Sequence, residues 1–281
     1  MTGNGRRITH AARLASRDGY FPPESMIRRV SGTPLIAWLG AGPAILFQVA
    51  HPLVAVSVVD HSDYRRDIWQ RWVTNFRALY LIVFGSRAEA DAVGEKVREV
   101  HGRIHGTTTI GLGAFPAGTS YAADDPELLL WVNASLTEVA LKIYGRHVHR
   151  LSTGEQERFY QDMGVLGQIV GLPESTAPRS LADFREYIRA RLAGPEITVT
   201  QPAREIAETV LDGPLPIALR WLSPANRLSC AGLLPPRLRD EYGLPWSPAR
   251  GLALATSAAS IRAAAAPLIL AAGRVPKPVQ A

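Results

Sequence analysis

From Ala44 to Val59 the chain is apolar at nearly every position, and its chief interruptions are Gln48, His51, Pro52 and Ser57. Such a run predicts a buried helix, with Pro43 in its first turn and a disturbance where Pro52 removes an amide and crowds the preceding turn. The segment before it, residues 32 to 43, reads as a short apolar stretch ending in a Gly-Ala-Gly-Pro break. Further on, Ile68, Trp69, Trp72, Val73, Phe76, Tyr80, Val83 and Phe84 recur at three- and four-residue spacing. That pattern predicts a helix from about Tyr64 to Phe84 with one wide apolar face. Val93, Val97, Val100 and Ile104 repeat at four, three and four, which predicts a third helix through about His105 with His101 and His105 on its core-facing side.

Punctuation marks the other elements. Ser86 with Glu89, and Ser152 with Glu155, have the spacing of capping boxes. Asp125 followed by Pro126 reads as an N-cap with proline at the first helical position, opening a helix to about Arg146. The Ser152 helix should end at Gly171, and Ser180 with Asp183 opens another over 181–192. Shorter helices are expected at about 203–211, 214–222, 224–231 and 235–241, then a long one over 248–272. No stretch sustains period-two alternation between hairpin turns, and no repeat is present. The expected fold class is all-α, a single-domain multi-helix bundle.

Totals narrow the classes. With 281 residues, 47% hydrophobic and 20% charged, the chain can bury a sizeable core, and disorder is excluded for its body. The net charge of +6 is dispersed, with no basic run interleaved with aromatics, which argues against a nucleic-acid partner. Arg6, Arg7, Arg13, Arg17, Arg28 and Arg29 leave room for weak attraction to an anionic membrane surface. Cys230 is the single cysteine, so an internal disulfide and a thiolate zinc knuckle are excluded, and the absence of CxxCH excludes a covalently attached haem. The N-terminus lacks a secretory hydrophobic region and no apolar run is a convincing span, so the expected location is cytoplasmic.

Candidate chemistry centres on histidine. His101 and His105, one turn apart on a buried face, suit a metal or a haem iron, because neutral imidazole ligates both. The plainer reading is a core histidine bonded to a backbone carbonyl. His51 beside Pro52 either satisfies the loosened turn or looks into space opened for a cofactor. Arg71, Thr74 and Asn75 share a flank of the second helix and read as solvated polar residues or as a patch facing a bound oxygen species. The trailing Asp60-His61-Ser62-Asp63 reads as helix-end chemistry. Nucleophile elbow, phosphate loop, dinucleotide fingerprint, HExxH and EF-hand patterns are absent.

Three blocks, "GAGPAILFQVAHPLVAVSVVDHSDY", "VFGSRAEADAVGEKVREVHGRIHG" and "DPELLLWVNASLTEVALKIYGR", closely resemble the rubber-oxygenase-like family, which includes latex-clearing proteins and the MpaB-type oxygenase. The resemblance runs in order over residues 34 to 190. It implies a globin-reminiscent bundle around a haem pocket, with residues 34–273 as the haem-binding oxygenase-like domain, 1–33 as an N-terminal arm and 274–281 as a loose tail. It also implies a non-covalent haem b and dioxygen-dependent cleavage of a carbon–carbon double bond in an apolar, isoprenoid-like small molecule. By position, His101 corresponds to the proximal iron ligand and Thr74 to the distal threonine. Gln70 stands where the distal arginine is expected, with Arg71 the nearest substitute. Val73 replaces a distal lysine, and Asn133 stands where relatives show histidine. His105 and His51 are the second and third choices as ligand, with His51 otherwise a distal group or a holder of the pocket wall. Alternatives are a peroxide-using haem enzyme of secondary metabolism, a non-enzymatic haem or ligand carrier, and a non-haem site built from His101, His105 and Glu138.

Overall fold

Two prolines shape the centre of the molecule, and each leaves a carbonyl that has lost its helical donor. The computed structural model describes residues 18–62, 68–212 and 223–272, without the side chains of residues 34–38, 68–72, 212 and 264–272. Helix α1 covers Met26–Ser31 and α2 covers Pro34–Val49, with Pro43 inside it. The expected Gly-Ala-Gly-Pro break is therefore helix. Its glycines serve close packing: a Cβ at Gly40 would lie 2.9 Å from Ile143, and one at Gly42 would lie 2.6 Å from Asn226 and 2.8 Å from Cys230. Pro43 cannot donate to the carbonyl of Leu39, and the hydroxyl of Ser229 does so instead at 3.0 Å.

The second proline has a larger effect. A single kinked helix was the expectation over residues 44–59, whereas α2 ends at Val49 and α3, Pro52–His61, leaves at 106° to it. Pro52 occupies the first helical position, where a missing N–H costs nothing to the new helix. The carbonyls at the end of α2 are taken by distant elements. Tyr242 donates to Leu46 at 2.7 Å, the Trp131 indole to Gln48 at 3.0 Å, and the Thr198 amide to Ala50 at 2.9 Å. Leaving such a buried acceptor without a partner costs roughly 1–3 kcal/mol, so these contacts make the corner affordable.

Helices α4 (Ile68–Phe84) and α5 (Arg87–His101) pack as an antiparallel hairpin joined by Gly85 and Ser86. The expected capping box is present, with Ser86 Oγ accepting from the Glu89 amide and Glu89 from the Ser86 amide. A short antiparallel pair follows, β1 (His105–Thr107) against β2 (Ser120–Ala122), with Gly106 opposite Tyr121. Helix α6 (Pro126–His147) starts at its Asp125 cap and contributes fully buried Trp131, Ile143 and Tyr144. Helix α7 (Thr153–Ile169) opens on the Ser152–Glu155 box and stops just short of Gly171, whose φ of 110° suits glycine. A 3-10 turn at Glu174–Thr176 leads to α8 (Leu181–Ala193), then α9 (Gln201–Asp212), α10 (Ser223–Leu233), α11 (Pro236–Glu241) and α12 (Pro248–Ala272). The helix expected at 214–222 lies outside the described residues.

One core joins these helices, with α2 packed against α6, α9 and α10 and the Phe47 ring set edge-on to Trp131 at 5.1 Å. The fold is all-α apart from the two short strands. The core reaches ahead of residue 34: Phe21, Met26, Ile27 and Val30 are buried, and Asp162 of α7 accepts from the Ile27 amide at 2.9 Å. Among the described residues no single helix is long and apolar enough to cross a membrane.

Candidate functional site

His101 is the last residue of α5, one turn short of where the spacing placed the helix end. The face that α5 turns inward is Ala90, Gly94, Val97 and His101, with Ala90 and Gly94 fully buried and Val97 and His101 half-buried. The expected valine stripe is rotated from this line, and Val100 is 42% exposed. Gly94 explains the rotation. A Cβ there would lie 2.5 Å from the Ile169 carbonyl, so α5 turns its smallest residue toward the end of α7, keeps Val93 and Val97 half-buried beside it and leaves Val100 exposed.

The Nδ1 of His101 is buried and has no hydrogen-bond partner among the described residues. Burial holds its pKa below that of a free histidine, with Asp124 opposing, so the ring is neutral at neutral pH. A neutral imidazole with a free, desolvated nitrogen has the electronic form that a metal or haem iron requires. The hairpin places the start of α4 level with the end of α5, so Arg71 and Thr74 lie at the same end as His101. Thr74 and Asn75 are exposed there, as is Val73 at 43%; the side chain of Arg71 lies outside the described residues. Val73 and Val100 are two of the four large apolar side chains exposed among the described residues, and both are at this end.

His51 has a different setting. It is the N-cap of α3, its Nδ1 accepting from the Leu53 amide at 3.3 Å, so the ring proton resides on Nε2. The ring is buried between Phe115, at 5.4 Å between centroids, and Trp131, at 6.4 Å. Phe115 comes from the loop between β1 and β2. Gly113 in that loop has a φ of 61° and sits so close to Thr198 that any side chain would overlap it. Burial, helped by Arg191, pushes His51 down to about 4. No sequence signal points to Phe115 or Trp131 as its neighbours, because the contact joins three separate segments.

Both imidazoles border the start of α6: Asp124 is the carboxylate acting on His101, and Asp125 is among those acting on His51. His105 is not part of a helical pair with His101. It lies in β1 opposite Ala122 and is exposed, because Gly102 caps α5 and the chain turns into the hairpin. Glu138 is held by Lys142 one turn away at 3.0 Å. Among the described residues no three His, Cys, Asp or Glu side chains gather to hold a metal ion, so the His101–His105–Glu138 alternative is not assembled. Asn133 donates to the Met163 carbonyl at 3.0 Å, fastening α6 to α7.

The donor set is compatible with a haem b that His101 would hold by its imidazole, with exposed apolar surface nearby to contact it. Similar curated proteins are Uncharacterized protein Mb2261 of Mycobacterium bovis and Uncharacterized protein Rv2237 of Mycobacterium tuberculosis. Each is 27% identical over 213 residues, which is 73% of this chain and 80% of theirs. No solved structure is a significant match. The match that covers the site is to a family described as "ER-bound oxygenase mpaB/B'/Rubber oxygenase, catalytic domain"; it spans residues 28–263 and takes in α2 to α11 entire, and the chain belongs to that oxygenase family.

Proposed function

We propose that the protein is a haem b-dependent oxygenase that acts with dioxygen on an apolar, unsaturated, isoprenoid-like small molecule. The observation that carries the reading is the neutral, desolvated His101 nitrogen, without a partner among the described residues, at the end of the α4–α5 hairpin where apolar surface is exposed. When bound, haem b supplies the redox chemistry that lets dioxygen react with a carbon–carbon double bond. His101 would hold the iron by an imidazole lone pair, and the ring is neutral at physiological pH because burial disfavours its protonation. Val73 and Val100 offer apolar contact to the cofactor edge or the substrate chain and keep water away from them. Thr74 supplies a hydroxyl and Arg71 a cation from the start of α4, suited to orienting the polar end of the reacting pair. His51 holds the wall: it caps α3 through Nδ1 and keeps its proton on Nε2.

An absorption spectrum with a pyridine haemochrome assay, run on wild type and His101→Ala, tests the assignment. A Soret band near one haem per chain in wild type, lost in the variant, is expected. Wild type reconstituted with haem and showing no Soret band would overturn it.

A further inference from the structure

The Asp60-His61 pair at the end of α3 is not simple helix-end chemistry. The Tyr121 hydroxyl, from β2, donates to Asp60 Oδ2 at 2.6 Å and stands 3.3 Å from His61 Nε2. Its ring is 5% exposed and lies across Gly106, where a Cβ would overlap the phenol, so the oxygen is held in one place by the hairpin. Asp60 and His61 are exposed, so the three donor atoms meet at a point that solvent can reach.

We propose that Asp60, His61 and Tyr121 bind a hard first-row transition-metal ion, ferric iron, at a site separate from His101. The chemistry of the set is specific. A phenolate and a carboxylate are hard oxygen donors and an imidazole is a borderline nitrogen donor, a combination that favours ferric iron over calcium or magnesium. The spacing agrees. Ligands about 2.0–2.1 Å from a first-row ion lie about 2.9 Å apart at adjacent octahedral positions, and the separations of 2.6 and 3.3 Å bracket that value. The phenolic oxygen gives its one proton to Asp60 and turns its lone pairs toward His61 Nε2, so a carboxylate, a phenol and an imidazole converge within 3.3 Å of one oxygen, the clustering that a small ion would need.

Binding replaces the phenolic proton, which leaves to solvent, and uses the lone pair of His61 Nε2 in the tautomer that carries its hydrogen on Nδ1. Affinity therefore rises with pH. Burial and the Asp60 carboxylate hold the phenol in its protonated form, and a trivalent cation offsets both. The remaining coordination positions face solvent and would be filled by water or a small anion. This inference stands independently of the haem assignment.

The test adds ferric nitrilotriacetate to the full-length protein as purified and records the difference spectrum. A phenolate-to-iron charge-transfer band in the visible, saturating at one ion per chain, is expected. Tyr121→Phe, which keeps the ring over Gly106, should abolish the band, and Asp60→Asn should weaken binding about tenfold or more. If Tyr121→Phe does not fold, the exposed substitutions Asp60→Asn and His61→Gln carry the test through the same affinity loss. No band in wild type, or one that the substitutions leave unchanged because iron sits on other surface groups, overturns the proposal.

Discussion

The His51 corner and the His101 end of the α4–α5 hairpin use the same side chain in opposite ways. At the corner, His51 caps a helix, and the carbonyls of Leu46, Gln48 and Ala50 each have a donor from a distant element. At the hairpin end, His101 has a buried nitrogen with no partner among the described residues, beside apolar residues left open to solvent. The first arrangement spends its polar groups on holding a 106° turn in place. The second leaves stabilising contacts unmade, which is what a binding site requires before its ligand arrives. His147 supplies a third point of reference, fully buried with Nδ1 3.2 Å from the Ile143 carbonyl. It is the core histidine of the plainer reading, and His101 is not.

If that contrast is right, stability and cofactor binding should separate by region. Trp131→Ala should cost about 3–5 kcal/mol in denaturant unfolding, since it removes a fully buried indole and leaves the Gln48 carbonyl with only the His51 amide as donor. A cost under about 1 kcal/mol would mean the corner is not held as described. Acid should act next. His51 is held down to about 4, so the folded state refuses a proton that the unfolded chain accepts below about 6.5. Its contribution is present above that pH and lost as pH falls toward 4, amounting to roughly 3 kcal/mol. His51→Asn, which can still cap α3, should flatten that part of the stability–pH curve.

Ser229→Ala isolates one proline carbonyl and should cost about 1–3 kcal/mol by leaving Leu39 unpaired, without changing haem content. His101→Ala should reverse the pattern. Its Nδ1 has no partner to lose among the described residues, so the chain without cofactor should lose about 1 kcal/mol or less while haem retention falls at least tenfold. Thr74→Val, on an exposed position, should shift stability by no more than about 0.5 kcal/mol and change turnover or the haem spectrum instead. A Thr74→Val variant indistinguishable from wild type in both would remove that residue from the site.

Local rules were legible. Ser86–Glu89, Ser152–Glu155 and Asp125–Pro126 open helices where the sequence places them, because a cap involves residues within one turn of each other. His101 was legible as a core-facing residue for the same reason, its helical phase being set by near neighbours. His105 was not, because Gly102 ended the helix and the following residues paired with a strand some fifteen positions away. Nor was the rotation of α5, which follows from the contact between Gly94 and Ile169 on another helix.

By itself the sequence determined the helical class, the helix starts, the buried run around His51 and Pro52, and the family resemblance carried by its motifs. Those are properties of residues close together in the chain, where backbone propensity, capping and periodicity act. Only the tertiary structure decided that Pro52 turns a corner instead of kinking a helix, because that outcome depends on Trp131, Thr198 and Tyr242 supplying donors across long stretches of chain. Only the tertiary structure, too, distinguished a histidine with a partner from one without. Whether a buried nitrogen finds a hydrogen bond depends on which segments converge around it, and the packing of the core sets that convergence.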